Sequence, residues 1–321
     1  MLVYVAMRFA ILVNSSAGGM DKSACEERVQ LIREAFLALD VQTEVYLCSP
    51  ARLTRTARQL AARNFDAVVA AGGDGTVSAV AGGLAGTKMP LAVLPFGTLN
   101  HFSKDLGVPA ELTDAARAIA HGTTEAIDVG EVNGRVFINN SSIGLYPEVV
   151  KVRDHERKRR GWSKFPAMLL AVARVLYRFP LLAICVSTPE RTVAAKTPFV
   201  FFGNNEYSTN LMSLGKRDCL NKGHLCVHTV RTKSRLRMLW LAIRAVFGKP
   251  EEVKDFETQQ VTEASVRSKK RHLVVAVDGE ITTMRSPLLY RVRAGALLVR
   301  RPATETASIE PSAPVAIGAQ R

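Results

Sequence analysis

Residues 66–86 read DAVVAAGGDGTVSAVAGGLAG. Asp66 to Ala71 is a short apolar run of the kind used by a strand buried on both faces, and Val77 to Leu84 predicts a helix. Between them, Gly72-Gly73-Asp74-Gly75-Thr76 puts three glycines and a carboxylate where strand hands over to helix. A turn there sets backbone N–H groups at the positive end of the helix, where an anion can meet them. Glycine lets a phosphate come close to the backbone and takes dihedrals that other residues avoid. A Gly-Gly pair alone is better explained as a plain tight turn. A P-loop is excluded because no Gly-Lys-Ser/Thr follows, and a dinucleotide fingerprint starting at Gly73 would need glycine where Ser78 stands. Asp74 would repel a bare pyrophosphate, so the loop points to a nucleotide that arrives with magnesium.

The pattern recurs at residues 91–109, LAVLPFGTLNHFSKDLGVP. Leu91 to Leu94 is a second buried strand, ending in the turn Pro95–Asn100, where Thr98 and Asn100 can offer side-chain hydrogen bonds to phosphate or sugar. Ligands of open α/β sheets bind at consecutive strand ends such as these. Outward from the two loops, strands and helices alternate. Arg8–Val13 and Gln42–Leu47 read as strands, and Cys25–Leu39, Leu53–Arg63 and Leu112–Ala120 as helices. Strict alternation predicts an α/β domain over residues 1–124, a parallel sheet with helices on both faces.

From residue 125 the texture changes. Ala126–Val132, Arg135–Asn139, Leu182–Ser187, Thr197–Phe202, His224–Val230, Leu273–Val277 and Ala296–Arg300 read as short strands without regular helices between them. Residues 125–301 are therefore expected to form a β-rich, sandwich-like domain, interrupted by helices near 164–178 and 234–247. Residues 302–321, rich in Ala, Pro, Ser and Thr, are expected to be a disordered tail. Met1 to Val13 is apolar but runs into a loop at Asn14–Gly19 and does not read as a cleaved leader. Phe165 to Val186 contains Arg174, Arg178 and Pro180, which argues against a membrane span.

The chain has 321 residues, 47% of them hydrophobic and 22% charged, with a net charge of +14. That charge predicts negative partners: nucleic acid, anionic membrane or phosphorylated substrates. The number alone also fits an inert basic surface. Five cysteines without a C-x-x-C pair fit a reducing compartment.

Taken together, GGDGT, PFGTLNHF at 95–102, FINNSSIGL at 137–145 and VAVDGE at 275–280 resemble the catalytic region shared by diacylglycerol kinases, sphingosine kinases and soluble bacterial lipid kinases. NAD kinases and phosphofructokinases share the GGDGT loop more distantly. The resemblance implies a two-domain enzyme with ATP in the interdomain cleft. Asn14, Gly72, Gly73, Asp74, Gly75 and Thr76 would hold the nucleotide, Thr98 would close the site, and Asp74 would sit near the phosphates and the catalytic magnesium. Glu280 matches the family's general base, which takes the proton of the lipid hydroxyl. Read from the residues alone, Asp278-Gly279 is a hairpin signal after the buried strand Leu273–Val277, and a turn is a place where a carboxylate can reach a hydroxyl.

Three departures stand out. Ser78 and Ala79 replace an Asn-Glu pair common in bacterial relatives, and Asn100-His101 replaces an Asn-Asp pair, with no role assigned to His101. Asn221-Lys222-Gly223 aligns with an Asp-Gly motif that helps bind a structural magnesium. The expectation is that the Lys222 ammonium takes that region while catalytic Mg2+ still enters with ATP. Next to it, His224, Cys226 and His228 would share one strand face, a geometry zinc can use. Without a fourth ligand, the plain strand face is the preferred reading.

Residues 151–164 hold seven basic and two acidic residues, and residues 231–249 six basic and no acidic ones. Each carries apolar residues at helical spacing: Phe165, Met168, Leu169, Val172 and Leu176 follow the first, and Leu236, Leu239, Trp240, Ile243 and Phe247 lie in the second. Cationic amphipathic helices suit an anionic membrane surface, although the same faces would also pack on a β domain. No nucleic-acid module is recognisable. The expectation is an ATP-dependent lipid kinase acting on a diacylglycerol-like or sphingoid-like hydroxyl, cytoplasmic and peripherally membrane-associated. An NAD kinase-like phosphotransferase and a non-catalytic lipid or nucleotide sensor are the alternatives. Oligomeric state is left open, a homo-oligomer included.

Overall fold

The computed structural model describes residues 7–15, 22–145, 147–150, 181–206, 219–230 and 256–303, with isolated positions between them. The expected helices near 164–178 and 234–247, both basic stretches and the tail from residue 304 lie outside these residues, apart from single positions.

The first half alternates as expected: β1 (Arg8–Asn14), α1 (Lys22–Leu37), β2 (Gln42–Cys48), α2 (Leu53–Leu60), β3 (Ala67–Gly72), α3 (Asp74–Leu84), β4 (Leu91–Pro95), α4 (His101–Asp105) and α5 (Leu112–Ala120). Strands β2, β1, β3 and β4 pair in parallel in that order. All six residues of β3 are buried, as a parallel strand covered on both faces requires. Helix α1 packs with α5, and α2 with α3. The close fit of α2 on α3 depends on Gly83, where a Cβ would stand 2.4 Å from the Thr54 carbonyl oxygen.

The second half comprises β5 (Thr123–Val132), β6 (Arg135–Phe137), β7 (Asn140–Gly144), β8 (Leu182–Ser187), β9 (Thr192–Thr197), β10 (Phe199–Asn204), β11 (Leu225–Val230), β12 (Phe256–Val261), β13 (Glu263–Ser268), β14 (His272–Val277), β15 (Glu280–Arg285) and β16 (Leu288–Arg301). One sheet runs β12-β11-β10-β7-β14-β15. The other continues the parallel sheet, β2-β1-β3-β4-β16-β13-β8-β9, with β5 and β6 attached to β16. A second core of Phe137, Ile143, Phe202, Val266, Val275 and Tyr290 belongs to strands of both sheets. Tyr290 anchors it, stacked on Phe202 at 3.6 Å between centroids and bonded to Ser141 Oγ at 3.1 Å.

Strand β16 joins the halves. Its start pairs with β13 and β5, and Val299 near its end pairs with Leu91 of β4. A register shift between Arg293 and Leu297, with Gly295 at φ +59°, bends it from one core to the other. The sequence pattern predicts only Ala296–Arg300 of this strand, and it does not announce α4, β9, β12, β13 or β15. Two boundaries are also corrected. Helix α3 begins at Asp74, not Val77, and the strand expected over 135–139 ends at Phe137, with β7 restarting at Asn140.

Candidate active site

The two glycine loops lie side by side at the carboxyl ends of β3 and β4. Gly73 caps α3 in an extended conformation, and its carbonyl accepts from Thr76 N at 2.9 Å and Val77 N at 3.1 Å. A Cβ on Gly72 would stand 2.5 Å from Thr76 Oγ1, and one on Gly97 would stand 2.6 Å from Gly73 Cα. Glycine at these two positions is what lets the loops touch. Phe96 N then donates to the Gly72 carbonyl at 3.1 Å. Asn14, at the end of β1, donates through Nδ2 to Thr76 Oγ1 at 3.3 Å.

Asp74 and Gly75 form the first turn of α3, where N–H groups lack intrahelical acceptors. The half-buried Asp74 carboxylate has no hydrogen bond or ion pair among the described residues. Thr98 stands exposed at the tip of the second loop. Asn100 is used differently from the sequence expectation. It sits in the left-handed region at φ +50°, with Oδ1 accepting from Gly97 N at 2.9 Å and Nδ2 donating to the Gly97 carbonyl at 2.8 Å. Its amide closes the loop on itself, so it shapes the turn that carries Thr98. His101 follows as the exposed first residue of α4.

Glu280 arrives from the other half of the molecule. Val277 and Glu280 are paired across Asp278 and Gly279, which have φ of +47° and +81°, a two-residue hairpin turn of the mirror-image type I form. The Asp278 carboxylate fixes this turn by accepting from Ile138 N (2.9 Å), Asn139 N (2.8 Å) and Asn140 N (3.0 Å). Burial pushes the Asp278 carboxyl up, while its hydrogen bonds work in the opposite sense. A Cβ on Gly75 would stand 3.6 Å from Glu280 Oε1. The carboxylate of one half thus faces the phosphate-loop helix of the other.

Residues 8–132 match the model of the diacylglycerol kinase catalytic domain. The chain is 42% identical over 99 residues to the diacylglycerol kinase of Bacillus subtilis (strain 168), covering 30% of this chain and 33% of that protein. It is 33% identical over 139 residues to the "Probable lipid kinase YegS-like" of Klebsiella pneumoniae (strain 342), covering 42% and 46%. The matches therefore span less than half the length of these curated relatives. The crystal structure of a diacylglycerol kinase from Bacillus anthracis str. Sterne shares the fold with a TM-score of 0.64 at 20% identity, covering 92% of this chain and 96% of that one.

The first departure from the family pattern has a structural use. The Ser78 hydroxyl donates to Asp278 Oδ2 at 2.6 Å, tying α3 to the turn that carries Glu280. A further tie was not visible in the sequence. Arg217 and Asp105, 0% and 2% exposed, form a buried pair with Nε–Oδ2 at 3.0 Å and Nη2–Oδ2 at 2.8 Å. Arg217 also donates to the carbonyls of Ile138 and Asn204 and to Asn139 Oδ1. This network joins α4 to the segment between β6 and β7.

At the Asn221-Lys222-Gly223 loop the Lys222 ammonium pairs with Glu206 at 2.5 Å, which holds the lysine up and the glutamate down in pKa. The groups that cluster beside it are Glu206, His224 and Cys226, with candidate ligand atoms within 4.8 Å of one another. His228 is not among them, since its Nδ1 bonds Thr258 Oγ1 at 2.9 Å. Both Glu206 oxygens are already engaged, one by Lys222 and one by Gln260. The Lys222 ammonium is thus a cation that faces this carboxylate directly.

Proposed function

We propose that the protein is a lipid kinase that transfers the γ-phosphate of Mg-ATP to a lipid hydroxyl, diacylglycerol-like or sphingoid-like. The observation carrying this reading is the placement of Glu280 Oε1 beside Gly75, in a chain whose residues 8–132 match the model of a kinase catalytic domain. Phosphoryl transfer asks for positioning and charge neutralisation rather than covalent chemistry. The glycine approach at Gly72, Gly73 and Gly97 keeps side chains out of the phosphate path, and the α3 N-terminus supplies donors. Thr98 stands at the open side of the loop.

Asp74 fits a magnesium ligand, because its carboxylate is unengaged and sits at the phosphate end of α3. Magnesium bound with the nucleotide would neutralise charge on the phosphates. Glu280 Oε1 takes the hydroxyl proton as the lipid oxygen attacks the γ-phosphorus, and the bond to the bridging oxygen of ADP breaks. Asn14 and Asn100 act indirectly, one through Thr76 and the other through the loop of Thr98.

Among the described residues no helix is long and apolar enough to cross a membrane. A cytoplasmic enzyme docking on an anionic surface through residues 151–164 and 231–249 is part of the proposal. The test is transfer of label from [γ-32P]ATP to a total lipid extract in mixed micelles, with and without magnesium. An organic-extractable product whose rate of formation falls by about 100- to 10,000-fold in Glu280→Gln, to a residual rate that can still be measured, is expected. A folded, ATP-binding protein that labels no lipid would refute the proposal.

A further inference from the structure

Val132-Asn133-Gly134-Arg135 and Val277-Asp278-Gly279-Glu280 are built alike. In each, a valine pairs with a charged residue across a two-residue turn: Val132 with Arg135, Val277 with Glu280. Both central residues have positive φ in each turn, +47° and +83° for Asn133 and Gly134, +47° and +81° for Asp278 and Gly279. Each turn is also pinned by its own side chain. Asn133 Oδ1 accepts from Leu289 N at 2.7 Å and Nδ2 donates to the Arg285 and Pro287 carbonyls at 3.1 and 3.3 Å. Asp278 accepts from the three N–H groups of 138–140 described above. Two fixed turns therefore deliver two opposite charges to one place, where Arg135 Nη2 meets Glu280 Oε2 at 2.5 Å.

The contact divides the work of the carboxylate. Oε2 is held by Arg135, while Oε1 is the oxygen turned toward Gly75. Arg135 is 38% and Glu280 57% exposed, and ion pairs so exposed add little to stability. What such a pair does supply is orientation, because a planar guanidinium fixes a carboxylate better than a point charge.

We propose that Arg135 is a positioning residue for Glu280, holding the carboxylate so that Oε1 is presented to the acceptor hydroxyl at the phosphate loop. This inference rests on the reading of Glu280 as the base. A base displaced by about 1 Å costs on the order of 100-fold in rate, and that displacement is what loss of Arg135 permits.

The test uses the full chain, [γ-32P]ATP and a total lipid extract in mixed micelles at fixed saturating amount. Parent, Arg135→Ala, Arg135→Lys, Glu280→Gln and the double variant Arg135→Ala/Glu280→Gln are compared, with thermal unfolding as the folding control. Arg135→Ala is expected to lower kcat by about 10- to 100-fold with the KM for ATP within about twofold, since ground-state binding is untouched. Arg135→Lys should recover part of the loss. In the Glu280→Gln background, removing Arg135 should cost nothing further, because the two act as one unit. Parent-like turnover in Arg135→Ala would overturn the inference alone. So would a raised KM with unchanged kcat, or an equal loss in both backgrounds, because either makes Arg135 an independent substrate contact. If the folded parent labels no lipid, the proposed function falls and the inference falls with it.

Discussion

Two alanine substitutions three residues apart should move stability in opposite directions. At Gly72 a Cβ would lie 2.5 Å from Thr76 Oγ1, 2.6 Å from its Cβ and 2.8 Å from its Cγ2. Thr76 is 4% exposed, and a β-branched side chain on a helix has few rotamers to escape into. Overpacking of this kind costs about 1–3 kcal/mol, so Gly72→Ala should lower the urea midpoint clearly. At Gly75 the nearest atom to a Cβ is Glu280 Oε1 at 3.6 Å, an ordinary contact. Alanine is favoured over glycine in a helix by up to about 1 kcal/mol, so Gly75→Ala should be neutral or more stable. Its methyl nevertheless occupies the gap between loop and base, and lipid phosphorylation should fall at least about tenfold through misplacement of the reacting groups. Urea titration followed by fluorescence gives the first quantity and label transfer the second. A fully active Gly75→Ala would refute the claim that transfer occurs in that gap, and an unchanged midpoint in Gly72→Ala would refute the packing of the loop.

Asp105→Asn leaves Arg217 buried with its charge uncompensated and should destabilise the fold by about 3–5 kcal/mol, whereas Asp105→Asn/Arg217→Met should lose less; equal losses in chemical denaturation would deny the pair its coupling. Burial lowers the pKa of His228 from its ordinary value, so the unfolded chain binds the extra proton first and stability should fall as pH drops below about 6.5. His228→Gln should flatten that part of a melting-temperature profile between pH 7.5 and 5, and an unchanged slope would count against the burial. Burial pushes the Cys226 thiol up to about 11, which at pH 8 leaves about one molecule in a thousand as thiolate. Mass spectrometry after brief iodoacetamide treatment of the native protein should find Cys226 unmodified and Cys219 labelled ahead of it; early labelling of Cys226 would contradict its environment.

Strands β3 and β4 were legible because each is apolar throughout, as in Ala67–Ala71, and each ends at a glycine turn. The start of α3 was not, because Gly, Asp and Thr lower the helical signal even though Asp suits the first turn electrostatically. Strand β16 was read only at its end, because Arg291, Arg293 and Gly295 interrupt the apolar pattern just where the bulge bends the chain. The glycine loops and Glu280 could be found as motifs, since each is local. The Ser78–Asp278 bond, the Arg135–Glu280 contact and the Arg217–Asp105 pair join residues far apart in the chain, and no spacing announces them. Ser78 in particular read only as a departure from an Asn-Glu pair, and its use is visible only once Asp278 stands beside it.

The return of β16 has a consequence for how the protein is made. Leu297 and Val299 complete the core of the first half, Arg300 donates to the Ile119, Ala120 and Gly122 carbonyls, and β4 takes β16 as its outer neighbour. A ribosome that has released residues 8–132 has therefore not yet released a complete first sheet. Until residue 299 emerges, the Leu91 end of strand β4 lacks its neighbour on that side and remains an open edge, the kind of edge that recruits other chains. The nascent chain must keep that edge protected through most of its own synthesis, and a truncated gene product stopping anywhere before β16 should be a substrate for chaperones and proteases.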